Sequence, residues 1–563
     1  MNNKKILEEE RIDTDVLVMG AGAGGMMAAI MAADAGAKVT ICEKGNVRRS
    51  GGLPGGNDHF YVYMPHIHTP EIKENFIRQS LGRGIADEDL LRQFIDNTFE
   101  VQQKWEEWGI DMKIDGHYEF TGHGWPGSTG KTAEPGKTTR LPLHFFDTSA
   151  SVKLEKQVRK RNIQIINRVM ITEFLKDASG RFAGAVGIST RDPRIYVFQA
   201  KSVVINTGGV DEFRLYPPPN IIGYGMAQPN TGDGDIMAYR AGADIQNAEL
   251  CHRKVSLRFG PVSGKGTWIG VVRDMEDNPI APPYLSKPDA EIGDVSIENV
   301  DAIEHTWSTG KGPVWMDPRG ISAEDEEYMR KGFISEAMVP FLKWLDEENI
   351  DIKKTRFEFA GIQPRVSIQT RIDINAAASV QGLFAVFRAN LPRSAVGGFI
   401  AGKSAGKYAL DCRKPDLTSL AGKITELKHS YEEILNRDGM AFADWREVQW
   451  SIYQVMHCYA LPPNRTESTI MAGHRQLTRV RKKSDQILKA ANQHDLYHCL
   501  EVLNLLDIAE LVLLAVNERK ESRGLARRLD YPFINPMLEK LLVITQKEGK
   551  PSFRWEKPRR GPA

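Results

Sequence analysis

Four glycines fall within six residues at Gly20-Ala-Gly22-Ala-Gly24-Gly25, and an acid, Glu43, follows 23 residues after the first of them. That spacing suits a pyrophosphate turn. Gly20 permits a tight reversal, Gly22 lets the backbone approach a phosphate, and Gly25 lets a helix pack closely on a strand. The free N–H groups of a helix N-terminus then face the anion. Glu43 is placed to accept hydrogen bonds from ribose hydroxyls, with Lys44 beside it as a further cofactor contact. A second glycine-rich stretch, Ser50-Gly51-Gly52-Leu-Pro-Gly55-Gly56, comes directly after the acid. Nicotinamide and flavin dinucleotides share the first turn, but a second loop here suits a longer cofactor running on towards a flavin ring. The expectation is FAD. Arg48 and Arg49 either offset pyrophosphate charge or are simply solvated.

These residues need a strand, a helix and a second strand to hold them, and the flanking sequence supplies all three. Asp15-Val-Leu-Val-Met19 is a short apolar run, Met26 to Ala35 is rich in Ala and Met, and Gly36 ends that helix before Lys38-Val-Thr-Ile-Cys42. The whole chain has 563 residues, 41% hydrophobic and 26% charged, enough for a large buried core. Lys plus Arg total 74 against 73 Asp plus Glu, for a formal net charge of +1, which argues against nucleic acid as the partner. The five cysteines, at 42, 251, 412, 458 and 499, form no short cluster, so no metal or iron–sulfur centre of usual spacing is expected. The most apolar stretch, Leu500 to Val516, contains Glu501, Asp507 and Glu510, and reads as a buried helix rather than a membrane span. The N-terminus lacks an apolar signal core, which points to the cytoplasm.

The chain resembles the flavoprotein subunit of the succinate dehydrogenase and fumarate reductase superfamily from Asp15 to about Pro532. Lys201-Ser-Val-Val-Ile-Asn-Thr207-Gly208-Gly209 is similar to the strand and second glycine turn that contact FAD in that family. Asn230-Thr-Gly-Asp233-Gly resembles its glycine–aspartate–glycine segment. Gly382-Leu-Phe-Ala385 and Ala395-Val-Gly397-Gly398-Phe399 resemble the last strand and the helix start beneath the flavin ring, and Arg388 falls beside the cofactor. A helix N-terminus at Gly397-Gly398 would stabilise charge developing on the ring; alternatively these glycines only permit tight helix packing. Glu521-Ser-Arg-Gly524 and Asp530-Tyr-Pro532 resemble the family's C-terminal region. The resemblance implies an α/β fold: a Rossmann-like FAD-binding domain, an inserted α+β capping domain and a C-terminal helical domain. The boundaries read 1–245 and 355–415 for the FAD domain, 246–354 for the cap, and 416–563 for the helical domain and tail. Helical patterning is expected as far as 545, and the basic tail from Arg554 is expected to be extended, either solvated or docked on a partner.

Dicarboxylate enzymes of the superfamily carry a histidine bonded to FAD, a substrate-site histidine after a proline, and a cap arginine. The matching stretches here are Arg49-Ser50-Gly51-Gly52, Gln363-Pro364-Arg365-Val366-Ser367 and Gly260-Pro261 to Trp268, which lack all three. Non-covalent FAD is therefore expected. Arg258-Phe259, Gly260-Pro261 and Trp268 look more like the adenylylsulfate reductase α subunit, although Phe387-Arg388 replaces that family's usual glycine–acid pair beside the flavin. This resemblance implies a small anionic substrate and a ferredoxin-like iron–sulfur partner. Arg258, Trp268, Arg365, Arg371 and Arg393 are the expected substrate-facing residues, because guanidinium forks bind carboxylate, sulfate or phosphate bidentately. Arg365 and Arg371 have the alternative of core ion pairs. His252 and His123 are either acid–base groups or structural. Two further readings stay open: a fumarate or succinate enzyme with an altered site, and a flavin relay protein without a substrate of its own.

Overall fold

A computed structural model of the chain describes residues 4–53, 59–82, 85–114, 116–120, 141–145, 147–210, 212–217, 229–258, 272–280, 296–323, 326–327, 329–330, 333, 339–387, 390–462 and 465–561. At its centre is a five-stranded parallel sheet. β1 (Val16–Met19) lies between β2 (Val39–Glu43) and β4 (Ser202–Ile205), with β3 (Gln164–Asn167) at one edge and β8 (Leu383–Ala385) at the other. All four residues of β1 and all five of β2 are buried, as expected for a parallel sheet covered on both faces.

Against this sheet pack α1 (Ala23–Asp34) and α3 (Leu391–Asp411), with α2 (Glu88–Glu107) lying on α3, and the contact of α1 with α3 is unusually close. A Cβ at Gly398 would fall 2.0 Å from Gly24 O, and one at Gly402 would fall 2.2 Å from Ala28 O. One at Gly406 would lie 3.0 Å from Ala32 Cα. Glycines at every fourth position of α3 therefore face Gly24, Ala28 and Ala32 of α1, so the two backbones touch without side chains between them. This answers the alternatives for the glycine pair: Gly398 serves helix packing. The helix also begins earlier than the sequence reading placed it. Asn390 caps it by accepting from Arg393 N, and Pro392 stands in the first turn, so Gly397 and Gly398 lie in the second turn, where amides are already bonded within the helix. Arg393, expected just before the helix, is in its first turn.

A second hydrophobic cluster, separate from the main core, gathers Val255, Leu257, Met316, Phe333, Phe341, Leu345, Phe357 and Phe359. It sits on a sheet in which β6 (Cys251–Leu257) runs antiparallel to β7 (Phe357–Val366). The helices α4 (Ala421–Asn436), α5 (Trp445–Ala460), α6 (Glu467–Ile487) and α7 (Gln493–Glu518) follow. In α7, Leu500 to Val516 is buried helix, as read from the sequence, with Glu501 fully buried. Among the described residues no helix is long and apolar enough to cross a membrane.

The region after α7 departs from the helical expectation. β9 (Leu541–Lys547) and β10 (Lys550–Glu556) form a hairpin, and β9 pairs with β5 (Ile245–Gln246). Glu548 and Gly549 both have positive φ, 49° and 76°, which is the twist a two-residue hairpin turn needs. The basic tail keeps exposed side chains but docks on this chain itself. Arg559 N donates to Asp87 Oδ1 at 2.7 Å, Arg559 Nε donates to Asp89 Oδ2 at 2.7 Å, and Arg554 pairs with Asp244.

Candidate functional site

The first glycine turn has the shape its residues demand. Gly20 has φ +86°, and a Cβ there would lie 2.4 Å from Asn206 O, so only glycine fits. A Cβ at Gly25 would lie 1.9 Å from Gly20 O. Gly22 is the N-cap of α1, makes no side-chain capping bond, and is followed by no acid in the first turn. The first amides of α1 are thus left for an anion. Across the groove, Gly51 has φ +72°, and a Cβ on Gly22 would come 3.7 Å from Gly51 Cα. The two glycine backbones touch there, with no side chain between them. Among the described residues nothing lies within 4 Å of a Cβ built on Gly52, and Ser50 Oγ donates back to Asn46 O at 2.8 Å. Against the turn Asn206 is buried with Oδ1 unpartnered among the described residues. An uncapped helix end, two glycine turns that meet without side chains and an orphaned buried amide oxygen fit the pyrophosphate and ribityl chain of FAD. Asn206 escaped the sequence reading, although it directly precedes the Thr207-Gly208-Gly209 turn that did not.

The remaining expected cofactor residues divide. Glu43 accepts from Ala21 N at 2.7 Å and from Gly45 N at 2.6 Å, so its carboxylate ties the first turn to the strand end where a ribose would sit. Thr207 Oγ1 accepts from Gly234 N at 3.2 Å, and Gly208 has φ +73°. Lys44 and Asp233 are instead joined to each other. Lys44 Nζ lies 2.8 Å from Asp233 and 2.6 Å from Glu501, while Asp233 Oδ1 accepts from Asn504. Burial opposes the Lys44 charge, but the two carboxylates outweigh it and hold its pKa above the ordinary lysine value. Burial likewise opposes the Glu501 charge, yet Lys44, His498 and Arg214 pull that carboxyl well below the usual range. This cluster clamps α7 to the cofactor domain, so the charges of Lys44 and Asp233 are spent inside the protein. Arg48 pairs with Glu155. Ala395 and Phe399 are buried in α3, with Lys403 Nζ 3.7 Å over the Phe399 ring; Gly397 is filled on its open side by Phe387 N at 3.0 Å. Arg388, Trp268 and His123 lie outside the described residues. His252 is in β6 opposite Arg365, but its side chain is likewise undescribed.

The expected arginines separate just as clearly. Arg371 is a core ion-pair residue: it donates to Gln246 Oε1 at 2.8 Å and lies 2.9 Å from Glu556. Arg258 is 2.8 Å from Glu358, in the sheet of the second cluster. Arg365 and Arg393 have no carboxylate partner among the described residues, and both line one cavity of about 460 Å³ together with Gly209 of the second turn. Arg393 lies between the Phe387 and Phe94 rings, 5.4 and 5.6 Å from their centroids. Burial lowers its pKa from the ordinary guanidinium value, with Tyr61 opposing. Each of the other charged groups on the cavity wall has at least one ionic partner. Arg519 donates to Glu249 at 3.0 Å and Glu521 at 2.7 Å, Arg523 pairs with Glu521 at 3.1 Å, and Asp87 faces Arg559 at 3.2 Å. Glu249 is buried, which raises its pKa, and its Oε2 has no partner among the described residues.

Residues 15–266 match the FAD binding domain family, and residues 452–557 match the fumarate reductase flavoprotein C-terminal family. The chain belongs to the succinate dehydrogenase/fumarate reductase flavoproteins. It is thus an FAD-binding member of an oxidoreductase family. One of the subunits of the fumarate reductase (CoM/CoB) of Methanothermobacter marburgensis is 25% identical over 96% of this chain and 98% of its own length. The α subunit of the adenylylsulfate reductase of Megalodesulfovibrio gigas is 26% identical over 54% of this chain and 50% of its own. In fold, the flavoprotein matches an adenylylsulfate reductase structure from Archaeoglobus fulgidus with a TM-score of 0.81 and 21% identity, covering 98% of this chain and 96% of that one.

Proposed function

We propose that this flavoprotein holds FAD without a covalent bond and passes an electron pair between a small anionic substrate in the Arg365–Arg393 cavity and an iron–sulfur partner protein. The observation that carries the substrate half is the pair of guanidinium groups, unpaired among the described residues, on the wall of one cavity beside Gly209. Two half-buried cations without counter-ions among the described residues attract an anion, which gains charge-assisted hydrogen bonds from both. Bound FAD supplies a centre that takes up or gives up two electrons. The chain's own residues do the rest. Arg365 and Arg393 attract and orient the anion, the aromatic faces of Phe94 and Phe387 fix the Arg393 fork, and the Arg519–Glu249–Glu521–Arg523 network keeps the opposite wall rigid. Non-covalent attachment is supported by the Arg49–Gly52 loop, which has no histidine. The iron–sulfur partner is what the resemblance to the adenylylsulfate reductase α subunit implies, and the five scattered cysteines offer no cluster of usual spacing within this chain.

A fumarate- or succinate-type activity is the second reading, favoured by the methanogen relative that matches nearly the full chain. One experiment covers both. Purified yellow protein is denatured and filtered, and free FAD in the filtrate is expected; flavin retained on the chain would overturn the non-covalent reading. The protein is then reduced anaerobically and its reoxidation followed with adenylyl sulfate and with fumarate. Arg393→Met is expected to slow the productive reaction about 10- to 100-fold, the size of one lost charge-assisted contact of ~1.5–3 kcal/mol. An unchanged rate would remove Arg393 from the site.

A further inference from the structure

α2 starts without a cap of its own: Asp87 stands at the N-cap position, yet its side chain accepts no helix amide. The groups that replace the cap come from the far end of the chain. Glu88 N, a first-turn amide with no acceptor inside the helix, donates to Arg559 O at 2.9 Å. The buried Asp87 carboxylate accepts from Arg559 N at 2.7 Å and lies 3.2 Å from Arg559 Nη2. Arg559 Nε donates to Asp89 Oδ2 at 2.7 Å, and its Nη2 donates to Ile372 O at 3.0 Å. The N–H, the carbonyl and the guanidinium of one residue are thus all committed at the start of α2. The contact runs on past it, since a Cβ at Gly561 would fall 2.7 Å from Arg92 Nε and 3.3 Å from Glu88 Oε1.

The same turn of α2 forms one wall of the Arg365–Arg393 cavity. Asp87, Leu90 and Leu91 line it, with Ile85 and Ala86 just before the helix. One turn further on, the Phe94 ring lies 5.6 Å from the Arg393 guanidinium. No residue of 557–561 lines the cavity, so the tail acts on it only through α2. Without the tail, Glu88 N loses its acceptor, Asp89 has no cationic partner among the described residues, and Asp87 keeps Arg371 alone, at 3.4 Å. The uncapped turn would then fray, while the rest of α2 stays held by its buried side chains Thr98, Val101 and Trp105. We infer that residues 557–561 are a strap that caps α2 from outside and keeps the wall beside Arg393 closed, with Arg559 as a positioning residue. The importance of that wall rests on the proposal that the cavity is the substrate site, but the strap is tested without any substrate.

Hydrogen exchange of the flavin-loaded protein, resolved to single amides, reads the strap in the unaltered chain. Glu88 N is expected to exchange at least about tenfold more slowly than a free amide, although its own helix offers it no partner. Exchange at the free rate would overturn the inference. Removing residues 557–563 leaves β10 whole and is expected to speed exchange at Glu88 and Leu91 about tenfold, the loss of a cap and of charge-assisted bonds together, with β1 and β4 unchanged. Phenylglyoxal, which labels accessible guanidinium groups, then reads the wall by peptide mass spectrometry. Arg393 is expected to react about tenfold faster in the shortened protein, while the fully buried Arg465 stays unlabelled in both. Arg393 reacting at the parental rate would overturn the positioning role. If Arg465 is labelled as well, the shortened chain has not folded, and Arg559→Ala, which keeps the backbone bonds, decides instead. Arg393 is then expected to react about threefold faster, as for one partly exposed ion pair, and an unchanged rate again overturns the role. None of these readouts depends on an anion binding at Arg393, so failure of the substrate-site proposal would show in Arg393→Met kinetics and leave them as they are.

Discussion

Adding a single methyl group at Gly402 provides a test of how the cofactor domain is held together. By intrinsic propensity, Gly→Ala inside a helix is favourable by about 0.8–1 kcal/mol. At Gly402, however, the new Cβ would stand 2.2 Å from Ala28 O and 2.7 Å from Ala28 Cα. Ordinary contact begins near 3.4 Å, so α3 must retreat from α1 by about 1.2 Å, and the obstacle is backbone with no rotamer to adjust. Overpacking of this kind costs about 1–3 kcal/mol and sometimes more. The steric effect should win, leaving Gly402→Ala less stable by about 1–2 kcal/mol, or some 2–8 °C in melting temperature for a domain of this size. Gly422 is the internal control: it lies in the first turn of α4 with nothing within 4 Å of its missing Cβ, so Gly422→Ala should melt at or slightly above the parent. Thermal unfolding at one scan rate, read by circular dichroism and by flavin fluorescence, gives both numbers. The close-packing argument fails if Gly402→Ala melts as high as Gly422→Ala.

Replacing Lys44 by Met removes the cation that Glu501 and Asp233 share, leaving Glu501 to Arg214 and His498 and Asp233 without a cationic partner among the described residues, and should cost up to about 3–5 kcal/mol in urea unfolding; a loss below about 1 kcal/mol would mean the cluster is not what clamps α7 in place. The same pair predicts a pH dependence. Glu501 is held below its ordinary value of 4.5, so its stabilisation is complete above that pH and is lost as pH falls towards the depressed folded-state value. The stability gap between parent and Lys44→Met should therefore narrow on acidification below about pH 4.5, and a gap that widens there would contradict the assignment. Gly20→Ala, with φ +86° and a Cβ 2.4 Å from Asn206 O, should yield folded protein unable to hold flavin; a yellow variant with parental FAD affinity would disprove the role of that turn.

The cofactor turn was legible in the sequence because its constraints are local: strand, glycines, helix and acid are contiguous, and each glycine answers to an atom a few residues away or on the adjacent strand. Gly397-Gly398 looked like a helix start because the glycines are conspicuous, yet Asn390 and Pro392 already carried the start signal. Arg365 and Arg371 could not be told apart. Six residues separate them, and what distinguishes them is Gln246 and Glu556, far off in the chain and brought to Arg371 only by folding. The ion pair of Lys44 is hidden from the sequence for the same reason, since Glu501 lies 457 residues away. The hairpin at Leu541–Glu556 was within reach of pattern reading: Glu548-Gly549 between two runs containing Val, Ile, Phe and Trp is a turn signal that the preceding helices overshadowed.

Leu541 in the cavity wall and Arg559 on Asp87 also impose an order of assembly. The two glycine turns draw on residues made early in translation, whereas the hydrocarbon side of the cavity stays incomplete until residue 541 has emerged, and its Asp87 edge is unfastened until residue 559 has. A nascent chain stalled in between would carry much of the machinery for its nucleotide and still lack a closed wall around Arg365 and Arg393.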